Sequence, residues 1–189
     1  MAIYMKFGSV TGDATQKVGG KDLIKDFAYL EEQGWFMIFD FQWNIDRPIT
    51  TRSGSQGNKR DPKQASVHEV TVKKEADQAT TQLLNAICSS NNSDTCTIIF
   101  VKTGDPGEVY MQYKFSNVFI TDIHFNLEQE RHMEVLKINF TKVELAHLSS
   151  DTTNVLSKST PDRFQFELAA PAGPGAPSGS GAGHPGGRP

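Results

Sequence analysis

Between residues 35 and 45, large apolar side chains recur at every second position. Trp35, Met37, Phe39, Phe41, Trp43 and Ile45 fall on one side of an extended chain. A period of two is the period of a β-strand. On the opposite side Phe36 and Ile38 give way to Asp40, Gln42 and Asn44. The pattern predicts one long strand, buried on both sides where it begins and half-buried where it ends. A chain with such a strand must build a sheet to cover it, and its twelve phenylalanines favour the same architecture.

Further strand patterns follow. Residues 67–73 alternate, and residues 97–103 and 108–120 form a hairpin about the turn Gly104-Asp105-Pro106-Gly107. In the second arm Val109, Met111, Tyr113 and Phe115 share a face, but Val118 and Ile120 fall on the other, so a bulge is expected near Asn117. Residues 133–145 read as a last long strand, with Leu136, Ile138 and Phe140 inward and Lys137, Asn139 and Thr141 outward. Residues 77–88 read as a helix. Asp77 or Thr80 can cap it, and Ala79, Leu83, Leu84, Ile87 and Cys88 make its apolar stripe. Residues 21–32 also carry helical spacing at Leu23, Ile24, Phe27, Ala28 and Leu30. The expected fold is mainly β: a small β-barrel of two packed antiparallel sheets with one helix and a long extended loop.

Residues 1–168 are expected to form one domain. Beyond Leu168 the composition changes: residues 169–189 hold 7 of the 16 glycines and 5 of the 9 prolines and no large apolar side chain. Such a segment cannot offset the entropy of ordering, and a flexible tail is expected. A formal charge of −3 argues against a nucleic-acid binder that works by bulk positive charge. No apolar run approaches the roughly 20 residues of a membrane helix. The start MAIYMKFGSV lacks the features of a secretory signal, so if the protein leaves the cell it is expected to leave folded or by a dedicated machine. Cys88 and Cys96 are expected as core or helix-end thiols, with a short-loop disulfide or a metal pair as the other readings.

One segment departs from the strand grammar. Residues 46–66 are too long for an ordinary connection, and from residue 47 to residue 63 they carry Arg47, Arg52, Lys59, Arg60 and Lys63 against the single acid Asp61. This is a basic arm. It lacks the interleaved aromatics of a base-stacking surface, so an acidic neighbouring subunit suits it better than nucleic acid. Catalytic chemistry finds no support. The histidines His68, His124, His132, His147 and His184 have no metal-ligand spacing, and His124 and His132 flank what reads as a polar loop with Glu128, Glu130 and Glu134. No nucleophile elbow, phosphate-binding loop or dinucleotide fingerprint occurs. No cofactor is expected. A monomeric module binding a peptide or polysaccharide through residues 35–45 and the arm is the alternative to an assembling subunit.

The opening MAIYMKFG, the pair Gly34-Trp35 followed by Phe41-Gln42-Trp43, and the run Arg47-Pro48-Ile49-Thr50-Thr51 resemble the start of the haemolysin-coregulated protein (Hcp) family, the tube proteins of bacterial type VI secretion systems. The resemblance continues through residues 66–74, 77–83, 97–102, 110–120 and 136–143. It implies six-membered rings stacked into a hollow tube, carried inside a contractile sheath behind a spike, with small effectors held in some lumens. It implies residence in the bacterial cytoplasm before firing and secretion without a signal peptide. It also implies that the loop bearing Arg47, Arg52, Lys59, Arg60 and Lys63 reaches a neighbouring subunit. Lys137, Asn139 and Thr141 would face the lumen or the sheath. Two departures stand out: residues 21–33 exceed the short connection usual at that place, and the 169–189 tail is too simple to fold as a fused domain.

Overall fold

The computed structural model describes residues 1–16, 18–19, 30, 34–52, 59–62, 65–89, 93–149 and 161–168. In chain order the elements are β1 (Ala2–Phe7), β2 (Val18–Gly19), β3 (Phe36–Ile38), β4 (Asp40–Gln42), β5 (Ile45–Asp46), β6 (Ile49–Arg52), β7 (Lys59–Pro62), β8 (Ser66–Val67) and β9 (Val70–Glu75). Then come α1 (Ala79–Cys88), β10 (Ser93–Lys102), β11 (Gly107–Glu128), β12 (Arg131–Asn139), β13 (Lys142–His147) and β14 (Asp162–Glu167).

Two antiparallel sheets make the body. The first runs β3-β1-β10-β11-β13-β14, with β2 parallel to the start of β11; the second runs β11-β12-β9-β4. They meet at two corners and do not close as a continuous hydrogen-bonded cylinder. One corner lies within β11, which bonds β13 up to Ser116, β10 up to Val118 and β12 from Phe119 onward. Asn117 sits there with φ of 51°. The side-chain phase changes here as the sequence implies, but through this one left-handed residue, which a short polar side chain tolerates. The ladder's register shift falls a few residues on, between Ile120 and Asp122, so the bulge is there and not at Asn117.

The other corner corrects the reading of residues 35–45 as one strand. The chain pairs β1 as far as Ile38, bends at Phe39, then pairs β9 as β4, and the Phe39 N–H donates to the Lys73 carbonyl at 2.7 Å. The bend shifts the inward phase by one residue. Phe36 and Ile38 are fully buried, Met37 and Phe39 are exposed, and Phe41 and Trp43 turn back onto the core. The six residues expected on one face therefore divide. Trp35 enters a second apolar cluster, and Ile45 is exposed.

Between the sheets, Met5, Phe7, Phe36, Val72, Ile98, Phe115, Leu136 and Phe140 form the main core. Each large side chain placed there contributes about 1.5–3 kcal/mol by burial. The far face of the first sheet is covered at one end, where Tyr4, Val18, Leu30, Trp35, Ile99 and Leu148 make the second cluster. Gly12 is required for that cover: a Cβ there would lie 2.3 Å from the Trp35 carbonyl oxygen. Leu136, Ile138 and Phe140 are buried and Lys137, Asn139 and Thr141 exposed, as the alternation implies.

The helix seats Ala79 and Leu83 in the core. Asp77 Oδ1 accepts the Ala79 N–H at 2.8 Å, and Thr80 Oγ1 accepts the Asp77 N–H at 3.1 Å, a reciprocal cap. Beside it Lys74, wholly buried, donates to Asp77 Oδ1 (2.8 Å), Glu134 Oε2 (3.0 Å) and the Glu75 carbonyl (2.8 Å). Thr80 Oγ1 donates to the other oxygen of Glu134. Its three hydrogen-bonding partners are the condition on which a buried ammonium is tolerated.

Several boundaries differ from the sequence reading. The polar loop expected between His124 and His132 is strand on both sides of a two-residue turn, Gln129-Glu130, with φ of 49° and 66°. The strand expected over 133–145 is broken at Phe140–Thr141 into β12 and β13, and that over 67–73 is divided into β8 and β9. β14 completes the edge of the first sheet, with Phe166 packed on the core. The helical spacing at 21–32 lies outside the described residues except Leu30, which is fully buried; the 169–189 tail lies outside them as well. Cys88 ends the helix exposed and Cys96 is buried in the core, both as free thiols. Burial pushes the Cys96 thiol far above its ordinary pKa.

Candidate assembly surfaces

The basic arm is a two-stranded ribbon. Ile45 and Asp46 pair with Val67 and Ser66, and Ile49–Arg52 pairs with Lys59–Pro62. Among the described residues these four strands pair only with one another. The hairpin register sets Arg52 opposite Lys59 and Thr51 opposite Arg60, so basic positions gather toward its far end. Arg47, at the base, is exposed. Lys63 lies outside the described residues. Ile49, at the ribbon's start, is 58% exposed.

The ribbon is rooted by polar contacts over an aromatic shelf. Trp43 Nε1 donates to the His68 carbonyl and the His68 N–H to the Asn44 carbonyl, both at 3.1 Å. The His68 imidazole contacts the Asp46 carboxylate. Below them Trp43 meets Tyr113, Phe115 and Phe140 edge-on at about 6 Å, and Phe41 lies 5.0 Å from Tyr113. Such contacts orient rings beyond what burial alone supplies. Burial, and then the neighbouring Tyr110, hold the Tyr113 hydroxyl above its ordinary pKa.

The outer face of the second sheet is charged but internally matched. Lys73 pairs with Glu128 (2.5 Å), Arg131 with Glu75 (3.3 Å) and Lys137 with Asp122 (3.4 Å). A shallow cavity of about 360 Å³ opens there between exposed Phe39 and the 129–130 turn, with Met133 and Arg131 along its wall. Further along the same hairpin, on its inner side, Phe125 and Leu127 are 54% and 68% exposed. Neither of these two exposed positions is suggested by local periodicity, because both alternate as core residues would. Among the described residues no cluster of histidine, cysteine or carboxylate groups could hold a metal, and no helix is long and apolar enough to cross a membrane.

A two-sheet β body with one capped helix and a ribbon inserted between two paired strands defines a recognisable class of subunit. The family model described as "Type VI secretion system effector, Hcp" matches residues 4–147, and the chain belongs to this family of type VI secretion tube proteins. Solved structures share the fold. A type six secretion system protein is 18% identical over 88% of this chain and 95% of its own, with a TM-score of 0.69. A type VI secretion system effector from Yersinia pestis is 15% identical (88% and 99% covered, TM-score 0.62), and Hcp1 from Salmonella typhimurium is 14% identical (88% and 94% covered, TM-score 0.62). No curated protein matches the sequence.

Proposed function

We propose that this chain is a structural subunit that forms six-membered rings, that the rings stack into the inner tube of a type VI secretion system, and that the 45–67 ribbon makes a contact between subunits. The observation that carries the reading is the ribbon itself. It is a paired β-hairpin set on a body of the Hcp family, and its strands bond only to each other among the described residues. Its basic positions Arg47, Arg52, Lys59, Arg60 and Lys63 suit an acidic partner surface, and the chain as a whole carries a charge of −3. On this reading the chain waits in the bacterial cytoplasm, is exported with the tube, works beside spike and sheath, holds small effectors in the lumen, and catalyses nothing.

Native mass spectrometry with negative-stain imaging tests it. Six-subunit rings with a central hole are expected, and a monomer at every concentration would sink the proposal. Arg47→Glu combined with Arg52→Glu is expected to abolish ring or stack formation in sedimentation velocity while circular dichroism stays native. Unchanged assembly in that double variant would remove the ribbon from the contact.

A further inference from the structure

Among the described residues, the open end of the first sheet's outer face differs in its charges from the outer face of the second sheet. Strand register lays out one row as Lys6, Thr97, Lys114, Glu144 and Gln165, and the next as Thr95, Ser116, Lys142 and Glu167. Arg163 stands on the same face, one position beyond Gln165 on β14. With strands about 4.8 Å apart, the longer row spans roughly 19 Å. Four cations thus share a flat face with two carboxylates in a chain of net negative charge.

Lys142 is bound to Glu144 at 2.7 Å, but Lys114 and Arg163 are exposed and make no ion pair with any described residue. The Lys142 hydrogen bond, opposed by burial and aided by the charges of Lys142, Lys114 and Arg163, holds the Glu144 carboxyl below the usual range. The second sheet's face is the contrast, since its cations are already matched across strands. That matching also means it offers few free carboxylates to a second copy. Hydroxyl and amide groups fill the gaps between the cations, and no aromatic side chain stands among them to stack a base.

We infer that this face, centred on Lys114, Lys142 and Arg163, docks a carboxylate-rich surface of a separate protein. A partner presenting alternating Glu or Asp on an extended segment would meet the unpaired cations, and one basic group of its own could meet Glu144. The inference rests on this face and not on ring assembly.

The test measures fluorescence anisotropy of a labelled peptide of alternating glutamate and serine against the full chain at low ionic strength. Saturable binding is expected. Lys114→Glu with Arg163→Glu should weaken it by about tenfold or more, as reversing two contact charges does, and Lys137→Glu on the opposite face should leave it unchanged. Should the reversal disturb folding, Lys114→Gln with Arg163→Gln carries the same expectation at smaller size. The inference is overturned if the peptide does not bind, if the variants bind it as the native chain does, or if labelled duplex DNA binds more tightly. It is also overturned if the double variant dismantles native assemblies, since the occupant would then be a second copy. Absence of rings in the native chain would sink the tube reading while leaving the peptide affinity in place.

Discussion

The buried Lys74 of the body and the ribbon of this protein handle positive charge in opposite ways. In the body Lys74 is wholly buried and spends its three donors on Asp77, Glu134 and a carbonyl, tying the helix to the second sheet. In the ribbon, Arg47 stands exposed, and the paired strands carry basic positions along a hairpin that pairs with no other strand among the described residues. A buried charge is committed to the fold, because unpairing it leaves an uncompensated ion in a low dielectric. A charge on a ribbon contributes little to folding and stays available to a partner.

The contrast can be broken most forcefully at Lys74. Replacing it with Met strands Glu134 at 1% exposure, and urea unfolding is expected to show a loss of about 3–5 kcal/mol. Adding Glu134→Leu should recover most of that loss; a single variant as stable as the native chain would show that the network contributes nothing. Next in size is the corner. Asn117→Val forces a β-branched residue to φ of 51° and removes the hydrogen bond to Thr141, so about 1–2 kcal/mol should be lost. If Asn117→Gly costs as much, conformation is not the cause. Replacing residues 47–65 by a short Gly/Ser linker should change body stability by less than about 1 kcal/mol while removing assembly. A large fall in Tm would make the ribbon part of the fold.

The smallest effect lies at Lys142. Its hydrogen bond to Glu144, aided by the charges of Lys142, Lys114 and Arg163 and opposed by burial, holds that carboxyl below its ordinary pKa. A depressed folded-state pKa adds stability above the unfolded value and loses it as pH falls through the folded value. Lys142→Ala should therefore cost a few tenths of a kcal/mol near neutrality, as half-exposed pairs do. The gap between variant and native chain should close on acidification. A gap that widened in acid would reverse the assignment.

What the sequence disclosed depended on how local each signal was. The helix cap at Asp77 and Thr80 and the phase change at Asn117 were legible, because each shows in a few adjacent residues; the register shift itself falls at Ile120–Asp122. The bend at Phe39 was not. Its phase change depends on β3 pairing β1 and β4 pairing β9, and the alternation of residues 35–45 says nothing of partners. Glu134 reads as a solvated carboxylate until Lys74, distant in sequence, is placed beside it. β14 could have been found, since Phe164 and Phe166 alternate with polar residues, yet a six-residue strand beside a long polar stretch gives a faint signal. For the assembly surfaces, the basic composition of the ribbon was plain in the chain. Its hairpin pairing, and the cations of the first sheet's open face that are unmatched among the described residues, required register between strands far apart in sequence.

β11 belongs to both sheets, bonding β10 and β13 along one half and β12 along the other. Mechanically it is a shared beam. Tension applied along it would load ladders of both sheets in shear at once, with Asn117 as the elbow.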